Sequence, residues 1–425
     1  MLTSRERVER ALNHQEPDRV PLDLGGTAVT GMHATSVYKL RQALELDEPG
    51  TPVRVVEEYQ MLGEIGLDLL DAIGADVVGV GAPTGFFGFR YENWKPWTFH
   101  DGTPLLVPEH FNTDPEPNGD LLMYPEGDKS CRPSGRMPAG GYYFDAIAEQ
   151  PPIDDATLNV EDNLEEFGPV SDEVLEHFRV KIDALYDGTD KAIIANFGGT
   201  SFGDIALVPA PWLKNPKGIR GVEEWYVSTV LRKDYVKAIF ERQCEIALEN
   251  LARIYAVVGD RPVAVFVTGT DFGAQNGPFI SPQAYIELYQ PFHIRVNTWI
   301  HENTRWKTFI HSCGSIVPLI PHFIEAGFDI LNPVQTSAAN MAPAFLKAEF
   351  GDRLVFWGGG VDTQRTLPFG TPEEVRAEVI ERIRIFGPGG GFVFNPVHNV
   401  QANTPPENLV ALYQAVRDYG RYPIR

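Results

Sequence analysis

Eight short apolar runs, each followed by a helix-like stretch, constrain this 425-residue chain more than any other feature. They are Val20–Leu24, Asp76–Val80, Ala192–Phe197, Val263–Thr268, Thr308–His311, Asp329–Asn332, Leu354–Gly358 and Gly391–Asn395. Most are dominated by β-branched and aromatic residues, which suit a pleated, buried surface. Helix starts follow at Ser281-Pro282, at Thr371-Pro372 with Glu374, and at Thr404-Pro405-Pro406-Glu407. A Ser or Thr cap with Pro opening the first turn is a sound start signal. Eight strand–helix units in one chain predict an α/β fold, a (β/α)8 TIM barrel formed as a single domain over residues 1–425. A doubly wound open sheet is the alternative, but no Gly-x-Gly-x-x-Gly follows the first run to support dinucleotide binding there.

The rhythm is preceded and interrupted. Thr3 and Glu6 form a capping box that opens a short helix carrying Val8, Ala11 and Leu12. Helical spacing is read over Ser36–Leu46 and Val53–Ile73. After the second run, residues 85–188 change texture, becoming rich in aromatics, Pro and Gly. Asp101-Gly102 and Asn118-Gly119 beside alternating runs are hairpin signals. This predicts an insertion with a small antiparallel β region in its first half and a helix, near Ser171–Leu185, in its second. Because it leaves the C-terminal end of a strand, it is expected to cover the barrel mouth.

Charge narrows the partners. Lys and Arg number 36 against 58 Asp and Glu, a formal charge of −22 without a basic run. Nucleic acid and anionic membranes are poor partners for such a surface. Three widely spaced cysteines do not suggest a disulfide framework. No apolar run reaches the ~18 residues of a membrane span, and the first residues carry no apolar signal core, so a cytoplasmic protein is expected.

In barrels of this kind chemistry collects at the C-terminal ends of the strands. In Phe309-Ile310-His311-Ser312-Cys313-Gly314-Ser315 a strand runs into a turn, and residues two apart point to one side. His311 and Cys313 can therefore share a point in space, and imidazole with thiolate suits zinc. A strand-end histidine beside a small buried cysteine is the plainer reading of that pair alone. His398, after the last run, supplies a third donor. Three protein ligands with a fourth position open is the pattern of a catalytic zinc. Asp271, after the fourth run, is a candidate acid/base or an orienter of a ligand, or else a helix-capping aspartate. His33, Asn196, Asn332, Gln335, Asp362 and Asn399 stand at other strand ends as candidate substrate-binding residues.

These residues carry a resemblance. Ser4 to Arg7 with Pro17 to Pro21, His311 to Ser315, Ile330 to Gln335, Phe356 to Gly359 and Thr404 to Asn408 resemble the uroporphyrinogen decarboxylase superfamily, which also holds zinc-dependent methyltransferases. The methyltransferase branch is similar in its His-x-Cys and in a second Cys shortly before the closing Thr-Pro-x-x-Asn. His398 takes the place of that Cys here. The exchange keeps a zinc-competent ligand but removes one anion, which implies a stronger Lewis acid and a weaker activator of thiolates. The decarboxylase branch carries arginines after its first strand and a catalytic Asp after its second. Here nothing basic except His33 lies between Arg19 and Lys39, and the second run leads into Gly81-Ala82-Pro83-Thr84.

The resemblance implies a zinc-dependent methyltransferase or demethylase. It would move a methyl group between a small methylated substrate and a corrinoid or thiol acceptor. No Asp-x-His-x-x-Gly occurs, so the corrinoid is expected on a separate protein. A lyase of tetrapyrrole synthesis, and a barrel that binds a small molecule without catalysis, are the alternatives. A homodimer is compatible with this reading.

Overall fold

The structure, a computed structural model, describes residues 2–424. Seven strands form one parallel sheet in chain order: β1 (Val77–Val80), β2 (Ala192–Ala195), β3 (Pro262–Thr268), β4 (Lys307–His311), β5 (Ile330–Asn332), β6 (Val355–Trp357) and β7 (Phe392–Val393). Every neighbouring pair is parallel. The sheet curls until residues 20–24 bridge its two edges. Leu22 pairs with Phe394 in parallel beside β7, and the Asp76 amide donates to the Leu22 carbonyl beside β1 (2.7 Å). This closes a (β/α)8-type barrel.

The first expected strand, Val20–Leu24, is thus a bridging segment rather than a regular strand. Pro21 brings no N–H to the ladder, and the Leu22 amide goes to the Asp76 carboxylate (3.0 Å) instead of to backbone. Gly79 of β1 lies so close to Gly26 that a Cβ there would run into the Gly26 carbonyl. The barrel closes tightly at this seam because β1 lacks a side chain at that position.

Alternation sorts the strand residues. Val77, Ile194, Phe309, Ile330, Val355, Trp357 and Val393 fill the barrel interior. Their neighbours, among them Val78, Ile193, Ile310, Leu331 and Phe356, pack outward against the surrounding helices. The first helix, Ser4–Leu12, forms as the sequence predicts, with Thr3 and Glu6 exchanging capping hydrogen bonds. Its Val8, Ala11 and Leu12 join the interior cluster and plug the barrel floor.

The stretch read as one helix over Val53–Ile73 is corrected. Val53–Glu57 is a strand, Leu62–Gly63 pairs back on it antiparallel, and only Leu67–Ile73 is helical. Val53 and Val55 are buried with Arg54 exposed between them, so period-two alternation and β-branching won over helical spacing. This hairpin joins the later region. Pro104–Val107 adds to Val53–Glu57 in parallel and Lys95–Thr98 pairs with it antiparallel, giving a four-stranded sheet. A second, three-stranded antiparallel sheet comprises Leu121–Met123, Gly135–Met137 and Asp145–Ala146. A helix follows at Asp172–Gly188. Among the described residues no helix is long and apolar enough to cross a membrane.

Candidate metal centre at the strand ends

Phe309 points inward, so period-two geometry turns His311, the last residue of β4, to the same side. Cys313 lies two residues on, with its Sγ 3.3 Å from His311 Nε2. His398 comes from the loop after β7, its ring centroid 5.3 Å from that of His311. One donor atom from each of the three lies within 4.8 Å of the other two. Tetrahedral zinc with two imidazoles and one thiolate needs donor separations of about 3.3–3.6 Å, so the His311–Cys313 pair already stands at a suitable spacing.

The neighbours fix the tautomers. Asn332 donates through Nδ2 to the Trp357 carbonyl (2.7 Å), which turns its Oδ1 to His311 Nδ1 at 2.5 Å. His311 Nδ1 must then donate, leaving the Nε2 lone pair facing Cys313. Asn399 repeats the arrangement on the other side. Its Nδ2 donates to Gln60 Oε1 (2.7 Å) and Ala28 O (3.3 Å), so its Oδ1 accepts from His398 Nδ1. Both histidines thus present a free Nε2, the usual consequence of a second hydrogen bond that orients a ligating ring.

Asp271 stands against the same cluster. Its Oδ1 accepts the Cys313 N–H (2.7 Å) and lies 3.9 Å from His311 Nε2. Gln335 Oε1 accepts the Gly314 N–H (2.6 Å), and its Nε2 donates to Gln275 Oε1 (3.2 Å). Gly314 adopts φ +88°, and a Cβ there would run into the Gly273 backbone. A glycine is therefore what lets the Cys313 and Asp271 loops pack together.

Burial sets the electrostatics. It pushes His311 and His398 down to about 4, with His311 a further cause at His398. It pushes the Cys313 thiol well above its ordinary range, reinforced by Asp271, and raises Asp271 as well. Asp204 rises to about 7, first from burial and then from the Asp271 charge. Neutral imidazoles suit metal ligation.

The remaining predicted site residues spread out. His33 is buried, with Nε2 donating to the Tyr142 carbonyl (2.9 Å) and Nδ1 accepting the Thr35 N–H. Asn196 is exposed and accepts the Gly198 N–H. Asp362 accepts the Gln364 and Arg365 amides in its own loop. A cleft of about 270 Å³ is lined by Cys313, His398, Gln335 and Gln275 with Gly273, Gly314 and Gln364. A larger cavity of about 630 Å³ lies to one side, outside the cluster, with Asp204 in its wall. Sequence reasoning missed Gln60, Gln275 and Asp204.

Curated relatives include uroporphyrinogen decarboxylases from Psychromonas ingrahamii, 37% identical over 75 residues, and from Nitrosospira multiformis, 29% identical over 137 residues. The first match covers 18% of this chain and 20% of the relative, the second 31% and 36%. The chain thus spans about a fifth to a third of the length of these relatives. A solved methyltransferase from Methanosarcina mazei has the same fold, with a TM-score of 0.56 at 15% identity, covering 99% of both chains. The uroporphyrinogen decarboxylase (URO-D) family model matches residues 217–419, from the loop ahead of the two helices that precede β3 to the end of the last helix, and so takes in Asp271, His311, Cys313 and His398. Residues 217–419 of this (β/α)8 barrel are thus similar to the URO-D family, and the site cluster lies within that matched part.

Proposed function

We propose that the protein is a zinc-dependent methyltransferase or demethylase, moving a methyl group between a small-molecule substrate and a corrinoid or thiol acceptor. The observation that carries this reading is the convergence of His311 Nε2, Cys313 Sγ and His398 on one point at the edge of an open cleft. Three protein donors beside a cleft leave room for a substrate atom as the fourth ligand. The M. mazei methyltransferase shares the fold along its whole length, which makes the same class of chemistry a reasonable extension.

His311, Cys313 and His398 would hold the metal, which supplies Lewis-acid polarisation of a methyl-bearing oxygen or holds a thiol as thiolate. Cys313 ligates only as thiolate, and Asp271, facing it, is placed to accept that proton. Asn332 and Asn399 orient the two imidazoles, and Gln335 holds the turn after Cys313. Of the other candidates, exposed Asn196 is left as a contact for a larger substrate or a partner, whereas His33 is buried with both ring nitrogens engaged and Asp362 holds its own loop. The inserted region would cover the mouth, a reading supported by Phe86, which stacks on Tyr59, one residue from the Gln60 that reaches the Asn399 beside His398. The corrinoid, on a separate protein, would approach the cleft from its open side, and a basic docking patch would suit the −22 charge.

Two measurements test this. Metal analysis of protein purified without added zinc should give one zinc per chain, lost in Cys313→Ser. Methyl transfer should need free or protein-bound cobalamin. Full turnover without a corrinoid would remove that acceptor, and carbon dioxide release from uroporphyrinogen would move the protein to the decarboxylases.

A further inference from the structure

The 630 Å³ cavity beside the metal centre has its own chemistry. Its walls come from the loops after β1 and β2 and from one face of the long helix Lys233–Val258. The half-buried rings of Phe86, Phe197 and Trp212 line it, with Trp225 and Phe240 buried in the wall behind. Into this surface projects Asp204, only 8% exposed. Its Oδ1 accepts the Ala206 N–H at 3.0 Å, whereas no described residue hydrogen-bonds to its Oδ2.

Among the described residues no cation answers that carboxylate. Arg220 also lines the cavity, but its guanidinium is spent on Glu166 (2.7 and 3.0 Å) and on the Lys217 and Asp162 carbonyls. The charge that Asp204 feels is that of Asp271, which is of the same sign. A buried carboxylate without a cation costs free energy unless it takes up a proton, and a bound cation would relieve that cost while keeping the group ionised. Aromatic rings line the same cavity, and an aromatic face, being electronegative, favours a cation. An anion would meet Asp204 and the π faces with no positive group free to receive it. A neutral ligand could fill the walls but would leave the carboxylate unanswered. The volume lies within the range of ordinary small-molecule sites.

We propose that this cavity binds a small organic ammonium cation with alkyl substituents, its charge against Asp204 and its alkyl groups against the ring faces. The site goes beyond the metal reading and does not depend on it, since none of its residues belongs to the His–Cys–His cluster.

Calorimetric titration of the intact protein with three shape-matched probes tests the site: choline, the uncharged 3,3-dimethylbutan-1-ol and 3,3-dimethylbutanoate. Choline should bind at least ~10-fold tighter than the alcohol, and the carboxylate should not bind. Asp204→Asn, which keeps the shape of the side chain, should bring choline within ~2-fold of the alcohol. The comparison among probes on the unaltered protein stands even if that variant folds poorly. Equal binding of choline and the alcohol, preference for the carboxylate, binding of none of the three, or an Asp204→Asn protein that keeps the full preference would each overturn the proposal. None of these outcomes bears on whether zinc occupies the cluster.

Discussion

The two ends of the barrel treat buried charge in opposite ways. At the floor, Asp76 is fully buried and fully answered. Arg7 donates to it at 2.7 Å, Arg19 donates through two nitrogens at 2.7 and 2.8 Å, and the Leu22 amide adds a fourth bond. Arg7 also pairs with Asp18 (2.6 and 3.0 Å). At the strand C-terminal ends, Asp271, Cys313, His311 and His398 crowd together with no Arg or Lys among them, Asp204 in the adjoining cavity wall feels the Asp271 charge, and every one of the five is shifted toward its neutral form. Asp23, also at that end, is pushed up to about 6 by burial, against hydrogen bonds from Trp357 and Gly26. The floor uses charge to join segments distant in sequence. The upper end holds polar groups whose natural partner is something that binds.

Breaking the floor should have the largest effect on folding. Asp76 joins the segment at 20–24 to β1, and its own carbonyl accepts the Ala192 amide of β2. Asp76→Ala leaves the buried Arg7 guanidinium with Asp18 as its one carboxylate partner and the half-buried Arg19 without its own. Removing one partner of a buried ion pair typically costs ~3–5 kcal/mol, and urea denaturation should register a loss of that order. A change within 1 kcal/mol would mean that the network is not what closes the barrel.

At the metal centre the loss should appear as binding rather than folding. Cys313→Ser and His398→Ala should each weaken zinc by more than ~100-fold, measured by competition with a chromophoric chelator, because a lost ligand costs more than a lost orienting partner. The metal-free variants should unfold within about 1 kcal/mol of the metal-free parent, since neither removes a compensated buried charge. Stoichiometric metal in both variants would sink the ligand assignment.

Asp204 tests the contrast from the opposite side, because its removal should stabilise the protein. Its carboxyl titrates near 3.8 when unfolded and is pushed to about 7 when folded. Between those values the folded chain holds a proton that the unfolded chain has released, so stability from this group declines as pH rises through 7. Below about 4 both states are protonated and the term vanishes. Asp204→Asn should therefore raise stability by roughly 2 kcal/mol at pH 8 and by little at pH 4, allowing for relaxation around a site with room for water. Denaturation midpoints at the two pH values give the answer, and a destabilised variant at pH 8 would show that Asp204 has a partner at that pH.

How far these ends were legible in the chain follows from what kind of signal each left. Strand-end chemistry is local: His311 and Cys313 reveal themselves by spacing alone, and His398 by following an apolar run. The floor helix declared itself through Thr3 and Glu6. Long-range pairing leaves no such mark. Gln60 fell in a stretch whose apolar spacing fits a helix, and only the sheet formed with Pro104–Val107 shows that Val53–Glu57 is extended. Asp204 sits in an irregular stretch between β2 and the helix at Val222–Leu231, where no period exists to read. The Val20–Leu24 strand was placed rightly in space but not in its bonding, because Pro21 and the Asp76 side chain alter the ladder.

The smallest expected effect concerns the link that joins the two kinds of region. Glu57 accepts the Tyr59 and Gln60 amides (3.0 and 2.8 Å) and so fixes the turn that presents Gln60. Gln60 Oε1 then accepts from Asn399 Nδ2, which keeps Asn399 Oδ1 turned to His398 Nδ1. Gln60 touches neither the ligand atoms nor the cleft lining, and acts only by holding an amide in one orientation. Gln60→Ala should lower zinc affinity by about 10-fold, the lower end of what disturbing a ligand's orienting partner costs. Gln60→Glu keeps the acceptor and should restore most of it, whereas Gln60→Leu fills the space without accepting and should resemble alanine. Chelator competition resolves a tenfold change, and the difference between Glu and Leu separates orientation from simple packing. Equal affinities in the Glu and Leu variants would reduce Gln60 to a space-filling residue and leave His398 held by Asn399 and Ala28 alone.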